Sequence, residues 1–160
     1  MSTYQVPAAP ASHTAGALRY ALIPVHGIGI AVATVARMLD GDADGERARV
    51  LSPGETIPYG AQPVLVAETT LYGATCVEQV LARWGSLPRP WLVWIADAPA
   101  RPVADARYLV RALEGRLAGV ARVPYLPVLR AVKGPDEALE HKDVLSAAEK
   151  LRRTIGGSRA

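Results

Sequence analysis

Apolar residues along this chain fall into short unbroken runs separated by stretches in which they recur three and four positions apart. Residues 20–25 (Tyr-Ala-Leu-Ile-Pro-Val) form the first run and read as a buried strand, with Pro24 a blemish because proline cannot donate to a ladder. A tight loop, His26-Gly27-Ile28-Gly29, follows. Residues 30–39 then read as a helix with Val32, Val35, Ala36 and Leu39 on one face, stopped by the Asp- and Gly-rich residues 40–45. Residues 47–51 suggest a brief strand, and 52–62, with two prolines and two glycines, a loop. The unbroken run at 63–67 predicts a strand covered on both faces. A helix over 74–84 ends at Gly85, and 91–96 is a third strong strand. Residues 104–117 predict a helix with Leu109, Leu113 and Leu117 spaced by four, and 120–126 a short strand ending at Pro127. Pro135, Asp136 and Glu137 open a last helix, expected to end near Ile155 before Gly156 and Gly157.

Strands alternating with helices imply a three-layer α/β fold: a mostly parallel sheet of four or five strands with helices on both faces. At 160 residues the chain is long enough for one core, burying roughly 70% of its unfolded surface. The expected organisation is a flexible arm over 1–17, rich in Ala, Pro, Ser and Thr, one α/β domain over 18–156, and a tail over 157–160. No internal repeat marks a second domain.

Composition narrows the classes. No apolar run approaches the roughly 20 residues of a membrane span. The first 17 residues lack the basic-then-apolar order of a secretory signal. Cys76 is the only cysteine, which excludes an internal disulfide and suits a reducing cytoplasm; its helical spacing with Ala74, Val77, Val80 and Leu81 favours an inert buried thiol. The expected location is therefore cytoplasmic. The net charge is +3, and nearly all basic side chains are arginine, Lys133, Lys142 and Lys150 being the only lysines. Abundant Ala, Arg, Gly and Pro point to a high-GC bacterial genome, so arginine content says little about nucleic acid. No stretch interleaves basic and aromatic residues as a single-strand groove requires, and nucleic-acid binding is unsupported.

Candidate chemistry gathers at the ends of the strands. A glycine-rich turn between a strand and a helix is where backbone amides and a helix N-terminus cradle phosphate, which singles out His26, Gly27 and Gly29. Asp97, ending the third strong strand, is either a ligand contact at the carboxyl edge of the sheet or an Asp-Ala-Pro turn whose carboxylate caps its own loop, the second being favoured. Glu68, Thr69 and Thr70 share that edge, with helix capping and solvation as their plainer reading. His26 has two readings as well, an anion donor or a hydrogen bond that fixes the loop. Trp91 and Trp94 point to opposite faces of one strand, so at most one joins any single patch. With one cysteine and three scattered histidines, His13, His26 and His141, no metal site can be composed. The His-Gly turn also resembles the oxyanion turn of α/β-hydrolases, but no Gly-x-Ser-x-Gly elbow accompanies it.

Residues 25–32, Val-His-Gly-Ile-Gly-Ile-Ala-Val, resemble the deviant P-loop of ParA/MinD-type ATPases, Lys-Gly-Gly-x-Gly-Lys-Thr-Thr, in register on Gly27 and Gly29. Residues 63–81 are similar to that family's strand with a Thr-containing end and its following helix. Residues 91–97 are similar to the strand before the base-recognition loop, and 123–127 to the stretch ending in Ile-Pro. The likeness spans most of 20–132, and the whole chain also resembles an actinobacterial family of such degenerate domains. It implies a P-loop NTPase-like fold. In this register the family's lysines fall on Val25 and Ile30, and its Mg²⁺-coordinating hydroxyl on Ala31. Each lost charge-assisted bond is worth about 1.5–3 kcal/mol, so triphosphate binding weakens roughly a hundredfold to ten-thousandfold. Hydrolysis, which depends on positioning and charge neutralisation, suffers more.

The resemblance thus implies a non-catalytic binding or scaffold module without catalytic residues or a required cofactor. Such a module would act through a protein partner in a bacterial assembly for secretion, conjugation or positioning. The alternative is a nucleotide-binding switch or weak ATPase holding ATP through backbone amides. A homo-oligomer would not depend on nucleotide, because Val25 replaces the lysine that reaches a partner's phosphates. Ile28 and Ile30 further predict a loop packed shut, without room for a triphosphate.

Overall fold

The computed structural model describes residues 18–27 and 29–157. The expected arm over 1–17, Ile28 and the end of the expected tail lie outside the described residues. The chain runs β1 (Tyr20–Pro24), α1 (Ile30–Asp40), β2 (Ala48–Val50), β3 (Gln62–Glu68), α2 (Leu71–Ala82), β4 (Trp91–Ile95), α3 (Ala104–Leu113), β5 (Gly119–Val123), α4 (Pro135–Ala138) and α5 (Lys142–Gly157). All five strands are parallel, in the order β2-β1-β3-β4-β5. This is the flavodoxin-like order among doubly wound sheets, whose topological switch point lies between β1 and β3.

Two layers of helix cover the sheet. On one face Leu22, Val64, Val66, Val93 and Val123 pack with Val35, Met38 and Leu39 of α1 and with Val144, Leu151 and Ile155 of α5. On the other, Leu65, Ala67, Leu92 and Trp94 pack with Val77 and Leu81 of α2 and Val110 and Leu113 of α3. Trp91 belongs to the first core and Trp94 to the second, as strand alternation requires. Pro24 is accommodated because the β1–β2 ladder stops at Leu22–Val50, two residues before it. Pro63 likewise precedes the first β3–β4 pair, Val64–Trp91.

Some boundaries differ from expectation. The single helix expected from Pro135 to Ile155 is two, α4 and α5, separated by turns in which the Glu140 and His141 amides donate to the Glu137 and Ala138 carbonyls. In one continuous helix Ala138 and Leu145, seven apart, would share a face, yet Ala138 is buried and Leu145 half exposed, while Val144 is buried instead. The break rotates α5 so that Val144 faces the sheet. α5 runs on through Gly157, beyond the expected end at Ile155. α2 begins at Leu71, three residues early, because Thr70 caps it: its Oγ1 accepts from the Gly73 amide at 2.8 Å. β5 stops at Val123, before Pro124.

The link from β2 to β3 carries no helix among the described residues 51–61. Leu51 and Ala61 close over Ala21 in a small third core, with Ile57 and Ile23 at its margin. At the amino end of β2, buried Asp40 at the end of α1 accepts from the amides of Gly45 (2.7 Å), Arg47 (3.0 Å) and Ala48 (3.0 Å). Burial alone would raise its carboxyl; the Gly45, Ala48 and Arg47 amides and the Arg37 guanidinium outweigh burial and hold it below the ordinary value of 3.8.

Candidate functional site

β1, β3 and β4 end side by side, and the residues that follow them meet at the switch point. From β1 comes His26, whose Nε2 accepts the Glu68 amide at 2.9 Å, so in this arrangement the imidazole proton sits on Nδ1. The Glu68 carbonyl accepts from Trp94 Nε1 at 2.9 Å. Thr69, buried, donates from Oγ1 to Asp97 Oδ1 at 3.0 Å, and its amide donates to the Ile95 carbonyl at 2.9 Å. Gly73 lies so close to the end of β3 that a Cβ there would stand 2.3 Å from the Glu68 carbonyl oxygen, so only glycine lets α2 start where it does.

Of the candidate residues, His26, Glu68, Thr69 and Asp97 are joined in this network, and Thr70 lies beside them as the cap of α2. Gly27 has φ 140°, a conformation that favours glycine, whereas Gly29 is ordinary extended backbone preceding α1. His26 makes the hydrogen bond of the loop-fixing reading, accepting the Glu68 amide at Nε2. Asp97 does not cap its own loop; its carboxylate ties β4 to β3 through Thr69, because Thr69 is buried between the two strand ends and needs an acceptor. Tyr72, unsuspected in the sequence because an exposed residue at a helix start breaks no pattern, stands with its ring 5.8 Å from His26. The Cys76 thiol one turn along α2, through a hydrogen bond, holds the Tyr72 phenol above its usual range. Cys76 itself is buried.

Two concavities adjoin this edge. One, about 300 Å³, lies under the β1–α1 loop and is walled by His26, Gly27, Gly29, Ile30, Val66, Glu68 and Ile95. At Ile30 the expectation of a loop packed shut is corrected: this residue is only half-buried and forms part of the wall, because it opens α1 above the strand ends rather than over the apolar sheet. Ile28, the other residue of that expectation, lies outside the described residues. The first turn of α1 has no side-chain cap among the described residues. No Lys or Arg lines the cavity among the described residues, and Glu68 is the acidic residue in its wall.

The larger concavity, about 800 Å³, lies over the exposed part of β1, between residues 51–57 and the end of α2. Its walls include Ile23, Leu51, Ile57, Val80, Trp84 and Leu87. Sequence reasoning missed it because the gap arises from a helix that is absent from the crossover, and no residue pattern marks such an absence. Among the described residues no three His, Cys, Asp or Glu side chains cluster to hold a metal, and no helix is long and apolar enough to cross a membrane. No protein-family model, curated protein or solved structure matches the chain.

Proposed function

We propose that this chain is a non-catalytic binding module with a degenerate P-loop, working through a protein partner in a bacterial assembly. The observation that carries the reading is the make-up of the cavity under the β1–α1 loop. Its walls hold no Lys or Arg among the described residues, its histidine accepts the Glu68 amide at Nε2, and its charged residue, Glu68, is acidic. Phosphoryl transfer needs positive charge around the β- and γ-oxygens, and nothing in that wall supplies it. Exposed Leu71, Tyr72, Val103 and Tyr108, at and near the starts of two adjacent helices, offer apolar contact of the kind protein partners use.

A second reading, a nucleotide-dependent switch, is favoured by one feature: the uncapped amides of α1 beside a cavity that stays open. Phosphate release and thermal melting with Mg²⁺-ATP or Mg²⁺-GTP separate the two. The module should show no turnover, no nucleotide-induced rise in melting temperature, and no nucleotide-induced dimer by light scattering. Mg²⁺-dependent turnover that vanishes in Gly29→Arg would overturn the first reading.

A further inference from the structure

The crossover from β2 to β3 passes over β1 as a loop, where a helix would have covered the whole strand. It buries Ala21 at the amino end of β1 and leaves Ile23 at the floor of the large groove. Trp84 forms a flat wall; its Nε1 already donates to the Pro88 carbonyl at 2.8 Å, so the indole presents its apolar face with its polar atom satisfied. At about 800 Å³ the groove falls within the 300–1,000 Å³ range of small-molecule sites, which are apolar with a few fixed polar groups.

The charges around it are uneven. Glu55 is held in a two-pronged pair by Arg49 (3.1 and 2.6 Å) and also accepts the Ser52 amide at 2.8 Å, so its charge is matched. Arg83, where α2 ends, forms no ion pair among the described residues. The Leu81 carbonyl at the same helix end accepts from Arg116, which offsets the negative end of the helix. The groove therefore presents an apolar trough with one unmatched guanidinium at its rim.

We infer that this groove binds a small apolar molecule carrying one carboxylate, the hydrocarbon lying against Ile23 and Trp84 and the carboxylate meeting Arg83. The inference goes beyond the reading of the chain as a non-catalytic module and stands apart from it. Nucleotide turnover would overturn that reading and leave the groove untouched, and an empty groove would leave that reading untouched.

The test is a titration of the ¹⁵N-labelled full chain with decanoate and, separately, with decan-1-ol, followed by amide chemical shifts and tryptophan fluorescence. Decanoate should produce saturable shifts in residues 51–57 and 80–87, with weaker binding by the alcohol. Arg83→Gln, an exposed change outside every core, should weaken decanoate at least roughly threefold and leave the alcohol unchanged. Leu87→Asp, also at an exposed position, should weaken both. Unchanged spectral dispersion shows that each variant is folded. The inference is overturned by shifts that do not saturate, by shifts centred on His26 and Glu68, or by equal binding of acid and alcohol. Decanoate affinity that survives Arg83→Gln would overturn it as well.

Discussion

On one side of β1, Tyr20 and Leu22 share a core with four buried side chains of α1; on the other, Ala21 is closed over by Leu51 and Ala61, and Ile23, only half-buried, sits at the margins of that small core and of the α2–α3 core. The same five-residue strand is thus backed by a helix on one face and by a loop on the other. A helix presents a stripe of side chains every third and fourth position, and Val32, Val35, Met38 and Leu39 close completely over the strand. A loop with prolines and glycines presents few, so its core contains three buried residues and leaves Ile23 only half-buried at its margin. The uncovered remainder is the large groove. The difference teaches that concavity in this fold is decided by what fills each crossover, while the strands on either side are alike.

The widest margin separating the two faces lies between Leu22 and its neighbour Ile23. Leu22 is fully buried, and Leu22→Ala should cost about 3 kcal/mol, the usual size for a large-to-small core change. Ile23→Ala, at a half-buried position on the groove floor, should cost about 1 kcal/mol or less, because solvent already reaches the site. Urea unfolding of both variants checks the contrast. Equal costs would mean that the loop covers β1 as well as the helix does.

Next in size is Asp40, which secures the helix-backed side by holding three amides between α1 and β2. Removing a buried acceptor of several hydrogen bonds should cost about 2–3 kcal/mol in Asp40→Ala at neutral pH. The pH dependence follows from its lowered carboxyl. Above the ordinary value of 3.8 the carboxylate is ionised in folded and unfolded chains, and its contribution is complete. As pH falls below 3.8 the unfolded chain takes up the proton first, and the contribution fades until the folded carboxyl is protonated too. The stability gap between the native chain and Asp40→Ala should therefore shrink in acid, as urea midpoints from about pH 7 to pH 2 would show. A gap that stays constant would remove the carboxylate's charge from the account.

Much of the frame was legible because its signals are local. The unbroken runs around Leu22, Val64 to Ala67, and Leu92 to Ile95 are buried strands, since covered parallel strands need apolar residues on both faces. What was not legible depends on pairs distant in sequence. Asp40 looked like one of three acidic loop residues, and only the return of the chain at Gly45 and Ala48 gives its carboxylate a task. Thr69 and Asp97 were each noticed, but their bond joins residues 28 apart. The turn between α4 and α5 was hidden because Leu139 and Leu145 extend an apparently continuous apolar pattern, and only burial shows that the face rotates.

The smallest effect is expected at Ile30, where the small cavity meets the helix-backed side. Lysine there restores the residue type that a phosphate-binding loop would carry, so the substitution asks whether the small cavity can be made to differ less from such a loop. Ile30 is half buried and forms part of the cavity wall, so a longer side chain can extend into space already open. A positive charge in the first turn of α1 opposes the helix dipole by about 0.3–1 kcal/mol, and the Glu68 carboxylate in the same wall offsets part of that. Ile30→Lys should therefore change stability by less than about 1 kcal/mol, read as a melting-temperature shift of only a few degrees. It should not bring ATP affinity, because a lysine paired with Glu68 has little charge left for a phosphate, and Ala31 supplies no hydroxyl for Mg²⁺. Calorimetric titration with Mg²⁺-ATP checks the second half. Micromolar binding would show that the missing lysine alone separates this cavity from a working phosphate cradle, and a large loss of stability would show that the loop is packed around Ile30 after all.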